Sequence, residues 1–208
     1  MDELESGLRD LSAIRSMMER ASKFLSLSGL SGVSAGLVAL AGAWTANRAI
    51  QQSGAHIVLP GEHGGGEAWL EGFLIADAVS VLVIALACST FFSVRMAKKK
   101  GHPLWGPTTT YMLAALMIPL AAGGAFCGLL LFHALYGLIP AVMLVFYGLA
   151  LLNAGNFTFS EVRYLGMIDI LLGLTAGFQP ALGLILWAGG FGILHIVYGI
   201  LLYAKYEK

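Results

Sequence analysis

Apolar residues fall into six long stretches, approximately 24–46, 68–94, 107–124, 126–152, 159–178 and 180–204, and most charged residues sit between or before them. Apolar runs of about 18 residues or more have the length of a bilayer-crossing helix. The chain from 109 to 152 carries no charged residue and is too long for one crossing, so it must turn, and Gly123-Gly124 is the best breaker. Thr158, followed three residues later by Glu161, reads as a capping box that starts the fifth helix near Phe159; Gly177 and Pro180 mark its end. Ahead of the first stretch, Leu4, Leu8, Leu11, Arg15 and Met18 share one face of an amphipathic helix over 2–22. Such a helix lies on a leaflet surface or docks a partner subunit or a second copy of the chain. The expected fold class is therefore an all-α membrane protein, with six transmembrane helices as three hairpins and an N-terminal amphipathic helix.

This divides the chain into the amphipathic helix at 1–23, hairpin one with its long outer loop at 24–106, hairpin two at 107–158 and hairpin three at 159–208. With 58% hydrophobic and 12% charged residues, against roughly 25% charged in a soluble domain, the natural solvent is the bilayer. Net charge is zero, so no basic excess points to nucleic acid. An inside N-terminus puts every Lys and Arg except Arg48 on the cytoplasmic side, which predicts a multi-pass inner-membrane protein with both termini cytoplasmic. Ala41-Gly-Ala43 imitates a signal-peptide cleavage site, but the long, mixed-charge segment before it fits a retained helix.

Small residues repeat along the chain. Gly32-Val-Ser-Ala-Gly36 matches Gly173-Leu-Thr-Ala-Gly177, and Pro119-Leu-Ala-Ala-Gly123 is a looser third copy. Among the even-numbered spans, Phe146-Tyr-Gly-Leu resembles Val197-Tyr-Gly-Ile. Gly32, Gly36, Gly173 and Gly177 are expected to face protein, because small residues let membrane helices approach closely. The last hairpin, from Gly173 through the Pro180 turn to Gly189, Gly190 and Gly199, resembles the glycine-rich hairpin of bacterial HdeD-type acid-resistance membrane proteins. The opening IRSMMERASKFLSLSGLSG resembles uncharacterised six-helix proteins of Bacteroidetes-like bacteria. Both resemblances imply a six-helix inner-membrane protein and transfer no site residues.

Polar groups inside the spans carry the remaining chemistry, since each is costly in hydrocarbon unless paired or hydrated. Asp77, His133 and Asp169 each count nine residues from an expected outer helix end, so each lies ~13 Å deep, one per hairpin. They are the candidate polar site for a proton or small cation. Pro140 is expected to free the Tyr136 carbonyl near His133, and Glu71 reaches the outer interface. His195 is expected to hydrogen-bond to a neighbouring helix, with a Tyr as one candidate partner. Haem through His133 and His195 is disfavoured by a depth mismatch of ~9 Å, and no cofactor is predicted. His56, Glu62, His63 and Glu67 read as a solvated outer loop without regular ligand spacing, so no metal is predicted. The Lys98–His102 run reads as a topology signal with a secondary contact to anionic headgroups. Cys88 and Cys127 differ too much in depth to pair. No P-loop, GxSxG or HExxH occurs, which argues against an enzyme. Two function classes remain: a small transporter or channel for protons, cations or a small solute, and a non-catalytic membrane subunit, sensor or stress-related scaffold. A polar cavity reaching Asp77 and Asp169 favours the first, a dry closed bundle the second.

Overall fold

The structure, a computed structural model, describes residues 28–53, 68–101 and 105–208. The expected amphipathic helix, the loop residues His56, Glu62, His63 and Glu67, and His102 lie outside the described residues. The elements are α1 (Gly29–Ser53), α2 (Ala68–Lys100), α3 (Pro107–Phe132), a 3₁₀ turn (Tyr136–Leu138), α4 (Ile139–Ala154), α5 (Ser160–Phe178), a 3₁₀ turn (Pro180–Leu182), α6 (Gly183–Trp187), a π-helical segment (Ala188–Leu194) and α7 (His195–Tyr206). No strand occurs among the described residues. Segments Gly29–Ser53, Trp69–Lys100, Pro107–Phe132, Tyr136–Ala154 and Pro180–Tyr206 are long and apolar enough to cross a membrane. Helix α5, with 19 residues, reaches ~28 Å and carries Glu161, Arg163 and Asp169. The chain is thus all-helical, with five or six helices of membrane-crossing length. Its surface is apolar: Leu82, Val83, Leu86, Phe91, Met117 and Ile118 are all exposed, as lipid-facing side chains are.

The turn expected at Gly123-Gly124 is corrected by the structure. Helix α3 continues through both glycines to Phe132, and the chain turns at His133–Leu135. Gly123 is a packing position: a Cβ there would lie 2.5 Å from Phe146 Cβ on α4. The true stop is a left-handed Ala134, φ 55°, with Leu135 N–H donating to Leu130 O at 2.8 Å and Ala134 N–H to Leu131 O at 3.1 Å, the bonding of a Schellman-type end. Pro140 then stands in the first turn of α4, where a missing N–H costs nothing, so it opens a helix instead of kinking one. The Tyr136 carbonyl, expected to be freed, accepts the Ile139 N–H. At α5 the start is one residue later than expected. Its N-cap is Phe159, with no side-chain cap, and Glu161 bonds instead to Lys205 at 2.6 Å and to the Tyr206 hydroxyl at 3.1 Å.

Helices pack where glycines let them. The most extensive contact is α4 with α5, where a Cβ on Gly148 would lie 2.5 Å from the Gly166 carbonyl and a Cβ on Gly166 2.6 Å from that of Gly148. Helix α1 packs on α2 and on the π-helical segment and α7. Gly32 faces Gly199 and the His195 carbonyl, each 3.1 Å from a would-be Cβ, and Gly36 faces the Gly192 carbonyl at 2.5 Å. The second copy of the phrase behaves differently. Gly173 is buried against α4, its would-be Cβ 2.9 Å from the Ala141 carbonyl, but Gly177 is exposed and meets only Ala141 Cβ at 3.8 Å. Leu151, Phe159, Val162, Leu165 and Leu202 bury a core that ties α4, α5 and α7 together.

That core, the Glu161–Lys205 pair and the Glu207 carboxylate, which accepts the Gly29 N–H, bring the starts of α1 and α5 beside the end of α7. A crevice shared by Ser28, Arg95 and Tyr203 adds the end of α2. Arg95, Lys98, Lys99, Lys100, Arg163 and Lys205 therefore gather at one end of the bundle, the basic end. Arg48 lies at the other end, where the Tyr136 hydroxyl donates to Glu71 across the connection from α3 to α4.

Candidate functional site

Asp169 lies midway along α5 and is completely buried, at 0% exposure. Neither carboxylate oxygen has a hydrogen-bond partner among the described residues. Its surroundings come from three elements. Leu172 lies one turn along α5, α4 contributes Leu144 and Tyr147, and the π-helical segment contributes Gly190, where an added Cβ would sit 2.7 Å from Asp169 Oδ1 and 2.5 Å from Leu144 Cδ2. The absence of a side chain at Gly190 makes the space into which the carboxylate fits.

A hydrogen-bonded chain runs beside it. His195 Nδ1 lies 2.8 Å from the Gly190 carbonyl, and Nε2 lies 2.7 Å from the Tyr147 hydroxyl. A carbonyl can only accept, so in the neutral ring Nδ1–H donates to Gly190 O and Nε2 accepts the Tyr147 proton. Phe191 stacks on His195 at 5.9 Å and meets Tyr147 at 4.7 Å with the rings tilted by 45°, and Trp187 packs on Phe191 at 5.0 Å. Tyr147 is close enough to Asp169 to feel its charge. The Tyr198 hydroxyl, one turn beyond His195, is buried with no partner among the described residues. The segment that carries these groups is itself a departure from α-helical bonding. Gly189, Gly190 and Gly192 provide the backbone latitude for seven π-helical residues, a geometry that recurs at functional sites.

The other expected site residues are placed elsewhere. Asp77, half-buried on α2, accepts a hydrogen bond at 2.7 Å from Thr45 on α1 and sits beside Gly42. His133 caps the far end of α3, exposed, with its ring edge-on to Phe132. The midplane depth expected for His133 requires a helix end at Gly124, and α3 runs past that point to Phe132. Asp77 and Asp169 keep their nine-residue distance from helix ends, but they are held by different helices, and no hydrogen bond among the described residues joins any two of the three. Both ring nitrogens of His195 are engaged within the protein, and His133 lies at the turn between α3 and α4. Glu71 and Tyr136 bond to each other. Cys88 and Cys127 are free. Among the described residues, no three His, Cys, Asp or Glu side chains are grouped to hold a metal.

Tyr147, Tyr198 and Gly190 are the site residues that sequence reasoning did not single out as such. A signal existed in the repeated Tyr-Gly pair. Tyr147-Gly148 and Tyr198-Gly199 each put a glycine at a tight crossing, with Gly166 and with Gly29 respectively, and a tyrosine next to the buried polar groups.

Crevices among the described residues open at both bundle ends. One, at the Arg48 end, is lined by Trp44, Thr45, Arg48, Trp69 and Phe73; the other, at the basic end, by residues of α1, α2 and α7. Asp169 and Asp77 line neither. In comparisons with known proteins, no family model, curated protein or solved structure matches the chain.

Proposed function

We propose that the chain is a proton-responsive membrane protein of the sensor or subunit class, in which ionisation of Asp169 is coupled to movement of the Pro180–Tyr206 segment. The observation that carries this reading is a carboxyl group with no exposure and no hydrogen-bond partner, enclosed against a π-helical segment. An ionised carboxylate in a dry interior requires donors or water. Among the described residues no donor bonds either oxygen of Asp169, so ionisation is coupled in this reading to a rearrangement that supplies one. The nearest element able to rearrange is Ala188–Leu194, whose π-helical bonding is one residue from α-helical register. The titratable groups facing Asp169 are Tyr147 from α4 and, through the hydrogen-bonded chain, His195 from α7. The sealed site favours this class over an open channel.

The topology that completes the proposal is three hairpins in a bacterial inner membrane, with the basic end and both termini cytoplasmic, supported by the gathering of Arg95, Lys98, Lys99, Lys100, Arg163 and Lys205 at one end, with Arg48 at the other. A second reading, transport of a proton or small cation, is favoured by one feature. Thr45, which donates to Asp77, also lines the crevice at the Arg48 end, so that carboxylate is one side chain away from a solvent-reachable cleft.

Hydrogen exchange in liposomes between about pH 5 and 8 tests the switch. Amides of residues 183–199 should change protection with pH in the parent and lose that dependence in Asp169→Asn. Unchanged pH dependence in a folded Asp169→Asn variant would sink the proposal. Proton or cation flux that Asp169→Asn abolishes would move the assignment to transport.

A further inference from the structure

At the basic end, α2 and α7 each pack on α1, and a crevice opens between them with α1 as its floor. Arg95 and Lys99, one turn apart on α2, stand on its wall; Leu30 of α1 and Phe92 and Met96 of α2 supply apolar surface below and beside them. Both basic side chains are exposed, and neither has an ion pair among the described residues. The one acid at the crevice, Glu207, already accepts the Gly29 N–H and lies 3.4 Å from the Ser28 hydroxyl, so its charge complements the positive N-terminus of α1. The two cations are thus left facing the opening.

Their height matters as much as their charge. From Trp69 to Arg95 is 26 residues of continuous helix, and to Lys99 30 residues, or ~39 Å and ~45 Å. The hydrocarbon core is about 30 Å thick and the bilayer with headgroups about 40–45 Å. With Trp69 at one interface, where tryptophan is favoured, Arg95 and Lys99 stand at the phosphate level of the opposite leaflet, and Leu30 and Phe92 face its acyl chains. A soluble anion would need the cations alone. The apolar walls continuous with the lipid-facing surface suit a ligand with a phosphodiester head and a hydrocarbon tail.

We propose that this crevice is a binding site for an anionic phospholipid, with Arg95 and Lys99 on the headgroup phosphate and Leu30, Phe92 and Met96 along the first part of an acyl chain. The exposed Lys98, next in sequence but not in the crevice wall, serves as a control for general charge attraction.

The experiment uses full-length protein, delipidated in a neutral detergent, with thermal unfolding and native mass spectrometry as readouts. Phosphatidylglycerol should raise the unfolding midpoint of the parent and of Lys98→Gln, and bind the Arg95→Gln/Lys99→Gln variant about 30-fold more weakly. Phosphatidylcholine of the same chains and inorganic phosphate should give much smaller shifts. The proposal is overturned if the double variant binds phosphatidylglycerol as well as the parent, if Lys98→Gln loses as much as the double variant, or if inorganic phosphate alone reproduces the shift. Should the double variant fail to fold, the parent decides: equal retention of phosphatidylglycerol and phosphatidylcholine in native mass spectra rejects the site, and preferential retention of phosphatidylglycerol, reduced in Arg95→Gln alone, supports it.

Discussion

Asp77 and Asp169 have the same chemistry and the same nine-residue distance from a helix end, yet their environments are opposite. Each sits beside a glycine of a neighbouring segment, Gly42 for Asp77 and Gly190 for Asp169. Asp77 is half-buried, accepts the Thr45 hydroxyl and lies one side chain from the crevice at the Arg48 end. Asp169 is completely enclosed, with Leu144 and Leu172 near it and no hydrogen-bond partner for either oxygen among the described residues. Depth in a bilayer therefore does not set the cost of a carboxyl group. Whether a neighbouring helix presents a hydroxyl at the right height does: Asp77 has Thr45, and Asp169 has no such partner among the described residues, which is why the proposed switch rests on Asp169.

The largest effect should come from replacing Asp169 by its apolar isostere. Because no hydrogen bond is lost and an unsatisfied polar group is removed, Asp169→Leu should stabilise the protein in detergent by up to ~3 kcal/mol while abolishing the pH-dependent exchange of 183–199. A clear fall in unfolding midpoint would show that Asp169 has partners and that the contrast with Asp77 is false.

Next in size is Gly190→Ala. The new Cβ would fall 2.5 Å from Leu144 Cδ2 and 2.7 Å from Asp169 Oδ1, so overpacking should cost about 2 kcal/mol. Pairing it with Asp169→Ala should recover part of that loss, as coupled neighbours do. Full additivity in the double variant would separate Gly190 from the carboxylate it is argued to accommodate.

The smallest effect belongs to the better-satisfied acid. Thr45→Val removes the donor to Asp77 and should cost about 0.6 kcal/mol, the usual worth of a membrane hydrogen bond. A double-mutant cycle with Asp77→Ala should give a coupling of that size, whereas a coupling near zero would make the two carboxylates equivalent after all.

The bonding of His195 to a tyrosine on another helix was readable in advance, because a buried imidazole in an apolar span has few other ways to satisfy two ring nitrogens.

What the amino-acid sequence determined by itself is what local physics controls. Hydropathy placed the helices, so α2, α3 and the last composite helix begin at the expected residues 68, 107 and 180, and every described base discussed above except Arg48 lies at one end. The end of α5 at Phe178 followed from Gln179-Pro180, since the residue before proline is pushed out of the helical region. Only the tertiary structure decided the rest. Whether Gly123-Gly124 breaks a helix depends on whether another side chain needs the room, and Phe146 does. With the turn moved to Ala134, His133 left the midplane and the expected three-residue cluster dissolved. Tyr147 and His195 are 48 positions apart in the chain, and Gly190 reaches Asp169 only because the π-helical segment packs against α4 and α5. A polar group's partner is a property of which helix faces meet, and no local pattern of hydrophobicity encodes it.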